Sequence, residues 1–122
     1  MENKLKLGAY GEKLAQEYLI REGFTLLDVN WRYRRTEIDI IAQEGEILVF
    51  LEVKTIRDDT QGSPDRSINQ RKLQLYWDGA SIYMEKVEHS GEIRFDFIGI
   101  QLESMDSYRI QHIRDAYWPD LD

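Results

Sequence analysis

The residues that can do chemistry sit in two short runs, Glu37-Ile38-Asp39-Ile40-Ile41 and Leu48-Val49-Phe50-Leu51-Glu52-Val53-Lys54. They flank Gln43-Glu44-Gly45-Glu46, and two β-branched runs around a glycine-bearing turn predict a hairpin. A two-residue turn at Glu44-Gly45 pairs Gln43 with Glu46, and hence Asp39 with Phe50 and Glu37 with Glu52. Side chains alternate along a strand, so Glu37, Asp39, Glu52 and Lys54 are expected on one face. Asp39 and Glu52 are then diagonal neighbours, roughly 7–8 Å apart by Cα, with carboxylates able to converge on one ion. Carboxylates gathered on one face repel unless a cation offsets them. Mg²⁺ or Mn²⁺ suits such a site, because it prefers oxygen ligands, accepts only one or two protein carboxylates and leaves room for phosphate oxygens. Lys54 would orient the attacking water or stabilise charge on phosphorus. The implied reaction is metal-assisted hydrolysis of a phosphodiester.

Acid and base residues on a strand ordinarily make a solvated outer face. Two features count against that here: Ile41, Leu48 and Phe50 share the predicted face, and the acids come from both arms of the hairpin. Glu12 falls on the helical stripe Gly8, Glu12, Ala15, Leu19, at the border of the core face, from which it can reach the same cavity or pair locally with Gln16. Arg32, Arg34, Arg35, Arg57, Arg66, Arg71 and Lys72 lie in connections or at helix starts near the expected site. Arg32 to Arg35, interleaved with Trp31 and Tyr33, is the most nucleic-acid-like stretch; a charged turn on an acidic protein is the alternative. Asn69, Gln70 and Lys72 open a helix whose dipole favours phosphate, with Gln70 also placed as the last residue of a capping box, Ser67-Ile68-Asn69-Gln70. His89 and His112 lack ligand spacing and read as structural or surface residues, Arg94 and Asp96 as a structural ion pair, and Asp58-Asp59 as a solvated loop. No glycine-rich phosphate loop, serine elbow or dinucleotide fingerprint is present.

The elements that must position these groups follow from periodicity. Apolar and small residues at helical spacing predict a helix from about Asn3 to Glu22, ended by Gly23. Phe24 to Trp31 reads as a strand, Glu37 to Ala42 and Ile47 to Lys54 as the hairpin, and Arg57 to Asp65, with Gly62 and Pro64, as a loop. Leu73, Tyr76, Trp77, Ala80, Tyr83 and Met84 predict a second helix with Gly79 as its weak point. Ile93 to Leu102 and Tyr108 to Ile113 read as further strands, giving the order α-β-β-β-α-β-β in the α/β or α+β class.

A chain of 122 residues is expected to form one domain, 1–122, and 42% hydrophobic with 11% aromatic content argues against disorder. The absence of cysteine excludes disulfides, thiol nucleophiles and iron–sulfur clusters, and makes a reducing cytoplasm the default expectation. The N-terminus has no apolar stretch of secretory type, and the run Ile47 to Leu51 is far short of the ~20 residues of a membrane helix. A net charge of −7 opposes general polyanion binding, so contact with nucleic acid would have to be local.

The ordered set Gly11-Glu12 with Ala15, Asn30-x-Arg32, Glu37-Ile38-Asp39-Ile40-Ile41, Phe50-x-Glu52-Val53-Lys54, Lys72, Ala80, Arg94-Phe95-Asp96 and Ile113-Arg114-Asp115-Ala116-Tyr117 is similar to the YraN-like family of small bacterial proteins. Through that family the chain resembles the PD-(D/E)xK endonuclease superfamily, particularly the archaeal Holliday-junction resolvases. The resemblance implies a restriction-endonuclease-like αβββαβ core, a mixed sheet flanked by helices. It implies that Asp39 and Glu52 are metal ligands, Lys54 the catalytic lysine, and Glu12 the acidic helix residue of the resolvases, with Glu37 supporting. The expected function is Mg²⁺- or Mn²⁺-dependent endonuclease action on DNA, branched DNA included, and resolvase-like chemistry would favour a homodimer. The alternative is a non-catalytic module of the same fold that binds nucleic acid or protein. The chain departs from the family in having Thr36 where glycine is common before Glu37-Ile38-Asp39, and Ala9-Tyr10 where a basic residue is common.

Overall fold

The computed structural model describes residues 4–57, 64–104 and 106–118. The elements are α1 (Lys4–Arg21), β1 (Thr25–Tyr33), β2 (Thr36–Glu44), β3 (Ile47–Arg57), α2 (Gln70–Lys86), β4 (Ile93–Leu102) and β5 (Tyr108–Ile113). They form one five-stranded sheet in the order β1-β2-β3-β4-β5, antiparallel except for the parallel pair β3 and β4. Parallel neighbours need a crossover, and α2 supplies it. The fold is α/β, with an αβββαβ core and one further edge strand, as the sequence leads one to expect. Asn3, Asp58, Asp59 and Gly62, which enter the helix-start and loop expectations, lie outside the described residues.

Each face of the sheet is covered by one helix. On one side Leu14, Ala15 and Leu19 of α1 pack on Ile40, Ala42, Val49, Leu51, Ile98 and Ile100. On the other, Tyr76, Ala80 and Tyr83 of α2 pack on Ile41, Leu48, Phe50, Phe95 and Phe97. Both faces of β3 and β4 are therefore buried, which is why these strands read as continuous apolar runs. α1 approaches β3 so closely that a side chain on Gly11 would overlap the Thr55 hydroxyl.

The hairpin register differs from the expected one. Glu44 pairs with Ile47, Ile41 with Phe50 and Ile40 with Leu51, so the turn is Gly45-Glu46. Gly45 has φ +60°, the left-handed conformation that a type II′ hairpin turn reserves for glycine at its first central position. The pairing is offset by two residues from Asp39 opposite Phe50. Regular pairing ends at Ile40 opposite Leu51, and beyond it the Val53 amide donates to the Asp39 side chain. An offset of two preserves the faces as far as Ile40.

Two helix details also differ. The N-cap of α2 is Asn69, whose side chain accepts the Lys72 amide at 2.8 Å, so Gln70 is the first helical residue rather than the end of a capping box begun at Ser67. Ser67 instead bonds Asp65 through its amide and hydroxyl, both at 2.9 Å. Gly79 is a point of close approach rather than a weakness, since a Cβ there would lie 2.7 Å from Thr36 Cγ2.

Candidate functional site

The site is built where β2 departs from regular alternation. Ile40 and Ala42 pack on the α1 side, yet Ile38 packs on the α2 side. A regular strand would put Ile38 with Ile40, so the phase slips at Asp39. Across from it, Asn30 of β1 has φ +52°, a left-handed conformation that asparagine tolerates better than most residues. The Asp39 carboxylate reaches β3, where Oδ2 accepts the backbone amide of Val53 at 2.8 Å.

Glu37, Asp39 and Glu52 line one hollow of about 240 Å³, together with Arg35, Thr36, Lys72, Leu75 and Tyr76. Burial and then the charge of Glu52 push the Asp39 carboxyl up to about 7, against the lowering effect of the Val53 amide. The charges of Glu12 and Glu37 add to that rise. Burial also raises Glu52, opposed by Lys72, whose Nζ lies 3.6 Å from its carboxylate, and by Lys54. Glu12 is raised by burial, held back by a hydrogen bond with Asn30 and raised further by Glu37. Glu12 thus acts on Asp39 and Glu37 through its charge from α1, and is not among the residues that line the hollow.

Lys54 follows Glu52 on the same face, and its Nζ donates to the Asp65 carbonyl at 3.1 Å. Glu37 is paired with Arg32 at 2.9 Å, at the more exposed end of the hollow. Arg34 and Arg35 form the β1–β2 turn, with Arg35 on the wall of the hollow. Arg57, the last residue of β3, is exposed and three positions past Lys54, which puts it on the other face by alternation. Arg66 and Arg71 are exposed near the start of α2. Gln70, which also has an interaction partner, is exposed at the first position of that helix.

Among the described residues no three Asp, Glu or His side chains converge closely enough to enclose a metal ion. Asp39 and Glu52 remain a pair of half-buried oxygen donors facing one hollow, the kind of set that holds a hard cation with water filling its other positions. Sequence reasoning gave no role to Asn30, Thr36, Asp65 or Tyr76. Thr36 is buried, with its hydroxyl donating to the Leu75 carbonyl at 2.8 Å and its methyl against Gly79. An asparagine inside a strand was the one available signal, since it marks a left-handed position.

Arg94 and Asp96 belong to a separate network on the α1 side. Asp96, fully buried, accepts from Arg94 Nε at 2.7 Å, from the Asp115 amide at 2.9 Å, and shares a 2.8 Å bond with His112 Nε2. Burial alone would raise Asp96; the bonds from His112, Arg94 and Asp115 outweigh it and hold the carboxyl below its ordinary range. His112 Nδ1 meets the Tyr18 hydroxyl at 2.9 Å, tying α1 to β5. These contacts are structural, as expected for Arg94, Asp96 and His112. No helix among the described residues is long and apolar enough to cross a membrane.

A family model described as "Uncharacterised protein family UPF0102" matches residues 11–100. A UPF0102 protein of Rhodococcus opacus (strain B4) is 39% identical over 120 residues, covering 96% of this chain and 100% of that one. One from Flavobacterium psychrophilum is 38% identical over 112 residues, covering 92% of this chain and 93% of that one. A solved structure titled "The structure of Pyrococcus Furiosus SfsA in complex with Ca2+" gives a TM-score of 0.42 at 16% identity, over 92% of this chain and 64% of that chain, a likeness too distant to argue from.

Proposed function

The chain belongs to the uncharacterised protein family UPF0102, and from that membership and the geometry of the acidic hollow we propose that it is a divalent-metal-dependent DNA endonuclease. One observation carries the reading: Asp39 and Glu52, half-buried carboxylates from adjacent strands, face one hollow, where partial burial and then the charge of Glu52 push the Asp39 carboxyl up to about 7. Uncompensated buried charge is destabilising, and such pairs persist where a bound cation or a reaction uses them. The resemblance to the PD-(D/E)xK nucleases supports the same assignment.

Asp39 and Glu52 would hold the cation, and the donor set fits a hard metal because both ligands are carboxylates with space beside them. When bound, Mg²⁺ or Mn²⁺ supplies neutralisation of a phosphate and a more acidic water. The Val53 amide fixes the Asp39 carboxylate in place. Lys54, released from the Asp65 carbonyl, brings its ammonium to the charge that develops on phosphorus. Water adds to phosphorus, the bond to the leaving sugar oxygen breaks, and a proton passes from the water to solvent while the leaving oxygen gains one. Lys72, from the first turn of α2, opposes the rise that burial imposes on Glu52, and Arg32, Arg34 and Arg35 supply positive charge for the strand, whereas Arg57 lies on the other face. Glu12 and Glu37 add negative potential that favours the cation.

The direct test incubates labelled four-way junctions, single strands and duplexes with the protein in Mn²⁺. Cleavage of at least one, lost in Asp39→Asn, is expected; if nothing is cut, the reading fails. The pairing of Lys72 with Glu52 favours a second reading, a non-catalytic module in which an ammonium stands where a metal would. Calorimetric titration with Mn²⁺ separates the two, since absence of both binding and thermal stabilisation supports the module.

A further inference from the structure

The acidic hollow shares a wall with a larger cleft. Beyond Arg35 and Thr36 lies a cavity of about 560 Å³, bounded on the hairpin by Tyr33 and Arg34 and on α2 by Asp78 and Ser81. That volume falls in the range of clefts that enclose small organic groups, roughly 300–1,000 Å³. The rings of Trp31 and Tyr33 lie parallel within 9°, their centroids 6.3 Å apart, and Trp31 is anchored edge-on against Tyr83 of α2 at 5.3 Å. The Arg34 guanidinium covers the Tyr33 ring at 5.3 Å from its centroid, so a planar group already occupies that face. Arg34 also has φ +55°, a conformation that hairpin turns normally give to Asn, Asp or Gly. An arginine placed against the local preference of the turn points to a role for its side chain.

We infer that this cleft takes the base of an unpaired nucleotide, stacked on the face of Tyr33 that the Arg34 guanidinium covers in this structure, with Arg34 displaced from the ring and, together with Arg35, holding the nucleotide's phosphate at the wall shared with the acidic hollow. An aromatic face beside guanidinium groups is the combination that captures single-stranded nucleic acid, one part for the base and the other for the backbone. Asp78 faces the cleft with its carboxylate accepting from Gln74 Nε2 at 2.9 Å, and suits the amino-bearing edge of a base. A base inside a duplex is already stacked on its neighbours and cannot enter. The substrate class is therefore DNA with an unpaired nucleotide beside the bond that is cut; this rests on the nuclease reading of the hollow, whereas the stacking does not.

The test uses a short single strand carrying one 2-aminopurine, whose emission falls when the base stacks, at low salt in EDTA so that nothing is cut. Binding and quenching are expected with the wild type and with Asp39→Asn. Tyr33→Ala should weaken binding between about 5- and 100-fold and abolish the quenching, while Tyr33→Phe restores both. Ser81→Trp, at an exposed helix position, should fill the cleft and weaken binding with Tyr33 intact. Equal binding by wild type and Tyr33→Ala, or equal competition by a fully paired duplex, overturns the inference even if the protein cleaves DNA. Stacking without any cleavage in Mn²⁺ would leave it standing and sink the nuclease reading instead.

Discussion

The Asp39 carboxylate accepts the backbone amide of Val53 at 2.8 Å, one residue beyond Glu52. A single bond between neighbouring strands thus fixes one acid against the backbone that carries the other. It also opposes the burial and the Glu52 charge that raise Asp39, and is outweighed, since the carboxyl still lies up at about 7.

The pH dependence follows from that value. Asp39 binds its proton more tightly folded than unfolded, where its value is 3.8, so its contribution favours the folded state at low pH and is lost as pH rises from about 4 to 7. Asp39→Asn keeps an oxygen acceptor for Val53 and removes the charge. In urea unfolding the variant is expected to be more stable than the wild type at pH 7.5, by a few kcal/mol on the order of magnitude of the shift, with the gap closing by pH 4. A gap that stays constant across this range would contradict the assigned repulsion.

Asp96 titrates in the opposite sense. Its carboxyl is held below 3.8, so its contribution is present above that pH and lost as pH falls below it. Asp96→Ala would leave the Arg94 guanidinium and His112 without their buried partner and should cost about 3–5 kcal/mol at pH 7, measured by denaturant unfolding.

Bound Mn²⁺ must displace protons from the raised carboxyls. Thermal stabilisation by Mn²⁺ is therefore expected to be larger at pH 8 than at pH 6, and to disappear in Asp39→Asn. Equal midpoint shifts at both pH values would place the ion elsewhere.

Thr36 and Gly79 form a matched pair, because the Thr36 methyl fills the space that Gly79 leaves on α2. A glycine-to-alanine change in a helix ordinarily stabilises by roughly 0.5–1 kcal/mol. Here Gly79→Ala should instead destabilise by about 1–3 kcal/mol, and Thr36→Ser, which removes the methyl but keeps the hydroxyl bonded to Leu75, should recover much of the loss.

The element order and both helix stripes were legible in the sequence because Leu14, Ala15 and Leu19, or Tyr76, Ala80 and Tyr83, repeat at the helical period and are buried on it. The meeting of Asp39 and Glu52 was legible through alternation, which tolerates a register error of two, whereas the place of Glu37 in the hollow was not, because the faces change between Ile38 and Ile40. The register itself was not legible, since Glu44-Gly45 and Gly45-Glu46 are both acceptable two-residue turns and the two offsets leave every side chain on the same face. The change of face between Ile38 and Ile40 lies opposite the left-handed Asn30 on the neighbouring strand, a relation that no local pattern reports. Thr36 looked like a departure from the family pattern, and its meaning lies in Gly79, far away in sequence.

The central claim is metal-dependent hydrolysis at Asp39, Glu52 and Lys54. Its most direct test is the single-turnover cleavage rate of Lys54→Ala on the substrate the wild type cuts best, with Mn²⁺ binding followed by calorimetry on the same samples. Mn²⁺ affinity within about twofold of wild type and cleavage slower by roughly 10²–10³ are predicted, the scale on which charge stabilisation at a reacting centre operates. Cleavage by Lys54→Ala at the wild-type rate would contradict the account.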